Sequence, residues 1–437
     1  VLFFALVVTI GSGILFGLAP ALRASSVSAK TTMMQGARAT SGRSGRRASQ
    51  LLVVAEVALA VVLVAGAGLL LRSFIELRQV DPGFRIENRV GAAVVLPPRY
   101  DSDPKILNFV DELVPRLERL RGVESVTYMS RLPLTRSTLG LGDFTIEGRS
   151  ATHTAVYLSR RAVAPDYFRV MEVPLVGGRA FAESDRAGSE PVVVINQQMG
   201  RQYFPNEDPI GKRIAFERSP SAQSEWHRIV GIVGDEHQNG IAAPPQSEAF
   251  LAFRQLPAVR VRLVVYTQGD VSELAEMMRA EVAAVDPMLP LFEFQTLEEM
   301  YATSLGRDRF LFTLVTAFAA LALLLATVGV YGVTAEAAKR RTHEIGIRVA
   351  LGAGSGDVVR IILGQGLSLT GAGVMLGLMG ALAAARLLVS VLYGIAPHDA
   401  TTFVVVPVVL AVAAAAACAI PALRAARVDP VVALGHD

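Results

Sequence analysis

The side chains able to do chemistry are few and scattered. The six histidines are His153, His227, His237, His343, His398 and His436. Only His227 and His237 fall close together, across a glycine-containing loop, and a metal centre needs several ligands brought to one point. No G-x-x-x-x-G-K-[ST] occurs, so the chain has no P-loop. Gly352-Ala353-Gly354-Ser355-Gly356 is glycine-rich but has no lysine and follows no strand, and it reads as a helix-breaking loop. Neither G-x-S-x-G nor H-E-x-x-H is present. The acids between 72 and 309 are numerous and dispersed, the pattern of a solvated surface. The single cysteine, Cys418, excludes an intrachain disulfide framework and a cysteine-based zinc site. It lies in an alanine- and valine-rich run and reads as a small buried apolar residue. Catalytic, cofactor-binding and metal-ligating residues are therefore all read as none, and the chain as no enzyme.

The elements that must position any site are set by hydropathy. Of 437 residues, 52% are hydrophobic and 19% charged, with mean hydropathy +0.43; a soluble domain carries nearer ~25% charged residues. Residues 72–309 hold 28 of the 42 Lys and Arg and 32 of the 39 Asp and Glu. A polar block is thus framed by apolar, basic flanks. Five stretches reach the roughly 20 apolar residues a bilayer requires: 1–22, 51–71, 310–333, 366–392 and 402–423. Residues 23–50 carry Arg23, Lys30, Arg38, Arg43, Arg46 and Arg47 and no acid. Residues 334–365 carry Lys339, Arg340, Arg341, Arg348 and Arg360, and the tail 424–437 carries Arg424 and Arg427. Loop 394–401 has neither lysine nor arginine. The positive-inside rule puts the basic segments in the cytoplasm and 72–309 outside, since long domains cross regardless of charge. The pI of about 9.1 reflects this membrane pattern, and nucleic acid is not an expected partner. The chain begins at Val1 inside an apolar run without a basic n-region or a cleavage site, so a signal peptide is not expected and the chain reads as part of a longer protein.

The outer block alternates into strands and amphipathic helices. Residues 86–96 read as a strand, 104–120 as a helix and 123–129 as a strand. A second β-α-β unit follows at 260–266, 271–285 and 291–294. Short strands are expected near 144–146, 155–163, 192–195 and 228–233, with a helix at 197–204. Two β-α-β units separated by a strand-rich insertion predict a large extracytoplasmic α+β domain of two lobes, beside an α-helical bundle of five spans.

Within the spans, Glu56 is the only acid well inside, about one and a half turns from the cytoplasmic end, and Arg386 can snorkel outward. Such a nearly uncharged interior argues against ion-coupled transport. Gly13-x-x-x-Gly17 and Gly373-x-x-x-Gly377 are small-x-x-x-small faces suited to close helix packing. Pro20-Ala21-Leu22-Arg23-Ala24 recurs as Pro421-Ala422-Leu423-Arg424-Ala425 at equivalent span ends, an echo that points to duplication.

Several segments resemble one family. Arg341-Thr342-His343-Glu344-Ile345-Gly346-Ile347-Arg348-Val349-Ala350-Leu351-Gly352-Ala353 is similar to the signature of MacB/FtsX-type ABC-transporter permeases. Val163-Ala164-Pro165-Asp166-Tyr167-Phe168, Gly177-Gly178-Arg179, Asp208-Pro209-Ile210-Gly211-Lys212 and Ile229-Val230-Gly231-Ile232-Val233-Gly234-Asp235 resemble its periplasmic core domain. Val328-Gly329-Val330-Tyr331-Gly332-Val333 and the tail Ala425-Ala426-Arg427-Val428-Asp429-Pro430 fit as well. Ala55-Glu56-Val57-Ala58-Leu59-Ala60 and Val80-Asp81-Pro82-Gly83-Phe84 look most like the duplicated orphan-permease branch of acidobacterial type.

The resemblance implies four helices per permease unit, at 51–71, 310–333, 366–392 and 402–423, around a periplasmic core domain at 72–309. Residues 1–22 would be the last helix of a preceding unit, and 23–50 a basic cytoplasmic linker. Segment 334–365 would couple to a cytoplasmic ABC ATPase through Arg341, Glu344, Ile345, Arg348, Val349 and Gly352. Glu344 and Arg348 share one helix face and can pair along it. ATP would be bound by that partner, with no cofactor in this chain. Other implied partners are the preceding permease half or a second copy, membrane lipid, and a periplasmic adaptor. The implied location is the bacterial inner membrane, multi-pass, with the large domain in the periplasm. The implied activity is transmission of ATP-driven motion to that domain, in efflux or other periplasmic work. The alternative is a membrane-anchored scaffold or sensor without ATP-driven transport.

Overall fold

The computed structural model describes residues 41–135, 141–149, 158–340, 354–389, 392–396 and 398–426. The chain divides into two units, one of helices (to Gly68, Val315–Ser390 and from Pro397) and one built on a sheet (Leu69–Leu314 and Val391–Ala396).

Among the described residues, four segments are long and apolar enough to cross a membrane: Arg47–Leu77, Gly306–Arg340, Gly356–Leu388 and Ala400–Ala425. They belong to helices α1 (Ser41–Leu77), α7 (Gly306–Arg340), α8 (Ser355–Leu388) and α9 (Ala400–Ala426). The expected span at 1–22 lies outside the described residues. At 37 and 35 residues, α1 and α7 are about 55 and 52 Å long at 1.5 Å per residue. The hydrocarbon core is only ~30 Å thick, so both helices outlast it. The bundle interior is aliphatic: Val53, Val57, Ala60 and Val61 of α1 pack with Ala326 and Val330 of α7, Ala381 of α8, and Val406, Leu410 and Ala414 of α9.

Among the described residues, the sheet unit contains twelve strands in one sheet. Strand β1 (Arg89–Val95) leads through α2 (Asp103–Glu118) to β2 (Val123–Met129), and β11 (Arg260–Thr267) through α5 (Val271–Val285) to β12 (Phe292–Thr296). The two β-α-β units interleave. β11 pairs antiparallel between β1 and β2, and β12 pairs antiparallel on the outer side of β1. Helix α2 buries Ile106, Phe109, Val110, Leu113 and Leu117 along one stripe, and α5 buries Leu274, Ala275, Met278 and Val282. The 3.6-residue period alone puts these side chains on one face. Asp270 caps α5 by accepting from the Ser272 and Glu273 amides.

The insertion supplies β3 (Leu141–Gly142), β4 (Thr145–Ile146), β5 (Leu158–Val163), α3 (Tyr167–Val170), β6 (Leu175–Gly178), β7 (Val192–Asn196), α4 (Gln197–Tyr203), β8 (Arg213–Ala215), β9 (His227–Val233) and β10 (Glu248–Ala252). Hydrogen bonding runs from β2 to β5 and on through β10, β7 and β9 to β8 and β4. The expected second lobe is therefore a continuation of one sheet. Its central strands are buried on both faces. Val193 and Ile195 of β7, with Ala249 and Leu251 of β10, join the core beneath α2 and α5. Val192, Val194, Phe250 and Ala252 join the opposite core, with Tyr167, Phe168 and the end of α1 at Leu77. A period of two on a doubly covered sheet gives this result. Helix α6 (Leu297–Ser304) opens with a capping box between Thr296 and Glu299 and leads into α7.

Candidate functional site

Among the residues singled out from sequence, Arg341, Glu344, Ile345, Arg348, Val349 and Gly352 lie outside the described residues, between the end of α7 at Arg340 and the start of α8 at Ser355. The last turn of α7 carries Lys339 and Arg340, and Arg340 pairs with Glu336 one turn back at 2.6 Å.

Gly373 and Gly377 of α8 lie against α1. A β-carbon on Gly373 would stand 2.7 Å from Val57 Cβ and 3.0 Å from the Val54 carbonyl oxygen. One on Gly377 would stand 2.5 Å from Val61 Cβ and 2.7 Å from the Ala58 carbonyl oxygen. The missing side chains let the two backbones approach. Gly329 of α7 makes room in the same way for the Glu56 carboxylate, which a β-carbon there would strike. Gly366 of α8 faces the buried Cys418 and Thr334.

The sheet unit holds a site that the sequence reading did not find. Glu236 and Glu248, read as solvated acids, are fully buried and share one guanidinium. This corrects the surface assignment, and the physical reason is pairing. Arg161 of β5, 1% exposed, donates through Nη2 to Glu236 and, at 3.2 Å, to Glu248. The Tyr167 hydroxyl lies 2.9 and 3.0 Å from the two oxygens of Glu236. Glu248 also accepts from Gln238 at 2.7 Å and from Ser159 at 3.3 Å. The Arg161 guanidinium stacks 5.2 Å from the Tyr167 ring and 5.0 Å from that of Phe250. Burial pushes the Glu236 carboxyl upward, and the Arg161 charge pulls it back; burial holds the Tyr167 phenol well above its usual range.

Beside this cluster the chain leaves α1 for the sheet. Asp81 accepts from the Gly83 amide at 2.9 Å, which tightens the Val80-Asp81-Pro82-Gly83-Phe84 turn. Gly83 has φ +86°, and a β-carbon there would collide with the Asp235 carbonyl oxygen. Only glycine accepts both demands. The His237 amide donates to the Pro82 carbonyl at 3.0 Å. The Tyr301 hydroxyl of α6 lies 3.3–3.4 Å from the carbonyl oxygens of Leu77, Arg78 and Val80, at and just beyond the end of α1. Phe74 stacks on Phe312 at 5.9 Å, and Ser73 Oγ accepts from the Tyr393 amide at 2.8 Å. A cavity of about 820 Å³ opens beside the turn, lined by Arg78, Asp81, Glu172, Asp235 and Tyr301 among others. Two of its acids are already engaged, Glu172 with Arg85 and Arg89, and Asp235 with Arg201. Among the described residues no group of three or more His, Cys, Asp or Glu could hold a metal ion.

The described residues thus hold four helices of membrane-spanning length, with the sheet unit inserted in the chain between the first and the second. The profile of the MacB-like periplasmic core domain matches residues 25–285, and that of the FtsX-like permease C-terminal region matches residues 316–430. The chain belongs to the MacB/FtsX-type permease family of ABC transporters. It is similar to the pyoverdine export ATP-binding/permease protein PvdT of Pseudomonas syringae pv. tomato, 27% identical over 278 residues, which cover 60% of this chain and 40% of the relative. It is also similar to the macrolide export ATP-binding/permease protein MacB of Rhodospirillum rubrum, 28% identical over 299 residues, 62% of this chain and 42% of the relative. The match thus spans about two-fifths of these relatives' length. Among solved structures, the periplasmic region of MacB from Actinobacillus actinomycetemcomitans aligns at TM-score 0.34 and 17% identity, over 52% of this chain and 97% of that one.

Proposed function

We propose that this chain is a permease subunit of an ABC-type exporter that passes ATP-driven motion from a separate cytoplasmic ATPase to its periplasmic domain. It sits in the bacterial inner membrane with 72–309 in the periplasm and 23–50, 334–365 and 424–437 in the cytoplasm, the arrangement favoured by the basic loops. The observation that carries this reading is the pair of unbroken helices. α1 and α7 are long enough to cross the bilayer with turns to spare, and their ends at Leu77 and Gly306 belong to the sheet unit. A helix is stiff along its axis, so a displacement at one end arrives at the other. The aliphatic packing of the four helices fits a bundle that moves rather than one that conducts a polar substrate.

ATP is bound by the partner. The contact is the segment from Arg341 to Gly352, whose sequence spaces Glu344 from Arg348 and Ile345 from Val349 by four residues, the repeat that a helix would bring to one face. Two apolar side chains at that spacing suit docking into a groove on the ATPase. The preceding permease half, or a second copy, completes the bundle, and a periplasmic adaptor is a candidate partner of the outer domain. Export of a pyoverdine- or macrolide-like compound is the substrate class that the relatives' names offer.

The reading is tested with Ile345→Asp/Val349→Asp in the full-length protein. Normal membrane insertion is expected, with loss of both co-purification with the ATPase and stimulation of its hydrolysis. A double variant that inserts, binds and stimulates like the wild type would remove this segment as the contact.

A further inference from the structure

The buried charges of the sheet unit and the turn that leaves α1 meet at one residue. Asp235, Glu236 and His237 form three consecutive links. The Asp235 carbonyl is the surface on which Gly83 rests, with Glu236 Cα at 3.0 Å from the position of a Gly83 β-carbon. The His237 amide holds the Pro82 carbonyl. Between them, the Glu236 side chain points into the sheet, bonded to Arg161 of β5 and Tyr167 of α3. Arg161 in turn holds Glu248 of β10, the strand that pairs with β5 in parallel.

We propose that this cluster is a strut, in which Gly83, Glu236 and Arg161 act as positioning residues that carry displacement of the α1 exit into the central strands β5 and β10. The inference rests on the permease reading for its purpose, but the mechanical link stands or falls by itself. Stability alone does not account for the cluster. Buried ion pairs are commonly matched or exceeded by apolar groups of the same volume, and here Arg161 Nε and Nη1 are buried without a partner among the described residues. What the arrangement supplies is direction. Glu236 is fixed through its backbone neighbours on one side and its carboxylate on the other, so the loop cannot shift without moving the guanidinium. The Tyr301 hydroxyl at the end of α1 ties α6, and hence the start of α7, to the same point.

Spatial contiguity alone does not establish coupling, so the test measures it. Hydrogen exchange is followed in the full-length protein in nanodiscs, without nucleotide or ATPase, for the wild type, Gly83→Val, Glu236→Gln and the double variant. Gly83→Val is expected to raise exchange in 158–163 and 248–252 by about tenfold, through local opening, and to leave 89–95 at the wild-type rate. Reciprocity requires Glu236→Gln to raise exchange at 78–84. The double variant should not exceed the larger single one, because both break the same link. Exchange that rises only at 78–88 and 234–240, or equally in every strand, overturns the strut, as does an additive double variant. If Gly83→Val does not fold, the Glu236→Gln effect at 78–84 decides alone. No ATPase is involved, so failure here is distinct from failure of the permease reading.

Discussion

Arg161→Met is expected to lower the thermal unfolding midpoint of the sheet unit by about 10 °C. The substitution leaves Glu236 and Glu248 buried and facing each other without the cation that both share, Glu248 keeping only the Arg131 cation, at 3.5 Å. Removing one partner of a buried ion network costs about 3–5 kcal/mol, and in a unit of this size each kcal/mol moves the midpoint by about 2–4 °C. The single tryptophan, Trp226, lies just before β9 and reports on this unit by fluorescence. A rescue variant separates charge from shape. Arg161→Met combined with Glu236→Gln and Glu248→Gln should regain more than half of the loss, since the uncompensated charges are gone. A midpoint within about 3 °C of the wild type for Arg161→Met, or no recovery in the triple variant, would contradict the account of the cluster.

Gly377→Leu is expected to have the next largest effect, now in the helical unit. Even a β-carbon at this position comes within 2.7 Å of the Ala58 carbonyl oxygen and 3.0 Å of Ala58 Cα. These are backbone atoms of α1 and cannot swing aside as a side-chain tip can. Overpacking of this kind costs about 1–3 kcal/mol, and here it forces α8 away from α1 over the turn that also holds Gly373 and Val57. Cys418, buried in the same bundle, provides the readout through its reaction with a fluorogenic thiol dye on heating. Earlier labelling is expected for Gly377→Leu, with Gly377→Ala intermediate. Wild-type labelling for Gly377→Leu would mean that the approach of the helices there does not matter to stability.

Much of this architecture is legible in the chain because its signals are local. The apolar runs of the four described spans, and the stripes Ile106, Phe109, Val110, Leu113, Leu117 and Leu274, Met278, Val282, need no tertiary information. The unread elements are those whose character is set by partners far along the chain. β10 starts with a glutamate, spans only Glu248–Ala252 and follows two prolines, so it lacks the look of a central strand. It is one because Arg161 and Arg131, both distant in sequence, pair with Glu248 inside the sheet. Glu236 escaped notice for the same reason, since a buried acid is indistinguishable from a surface acid until its cation is located. β3, β6 and β8 are two to four residues long, shorter than any period can reveal. The merging of the insertion into one sheet depends on the pairing of β2 with β5, a choice of register that no single segment encodes. The Val80–Phe84 turn carries a proline, a glycine and a capping aspartate, enough to predict a turn. What it rests on becomes visible only when Asp235 arrives beside Gly83.

The central claim is that ATP drives motion into the periplasmic domain. Its most direct test is hydrogen exchange of residues 72–309 in the complex of the full-length protein with its ATPase, measured with and without ATP and without transported substrate. ATP is expected to change protection at 78–88 and 301–312, at the ends of α1 and α7 that belong to the sheet unit, and Ile345→Asp/Val349→Asp to abolish the change. Hydrolysis of ATP by the intact complex with no change in protection anywhere in 72–309 would contradict it, and would leave the domain a membrane-anchored scaffold.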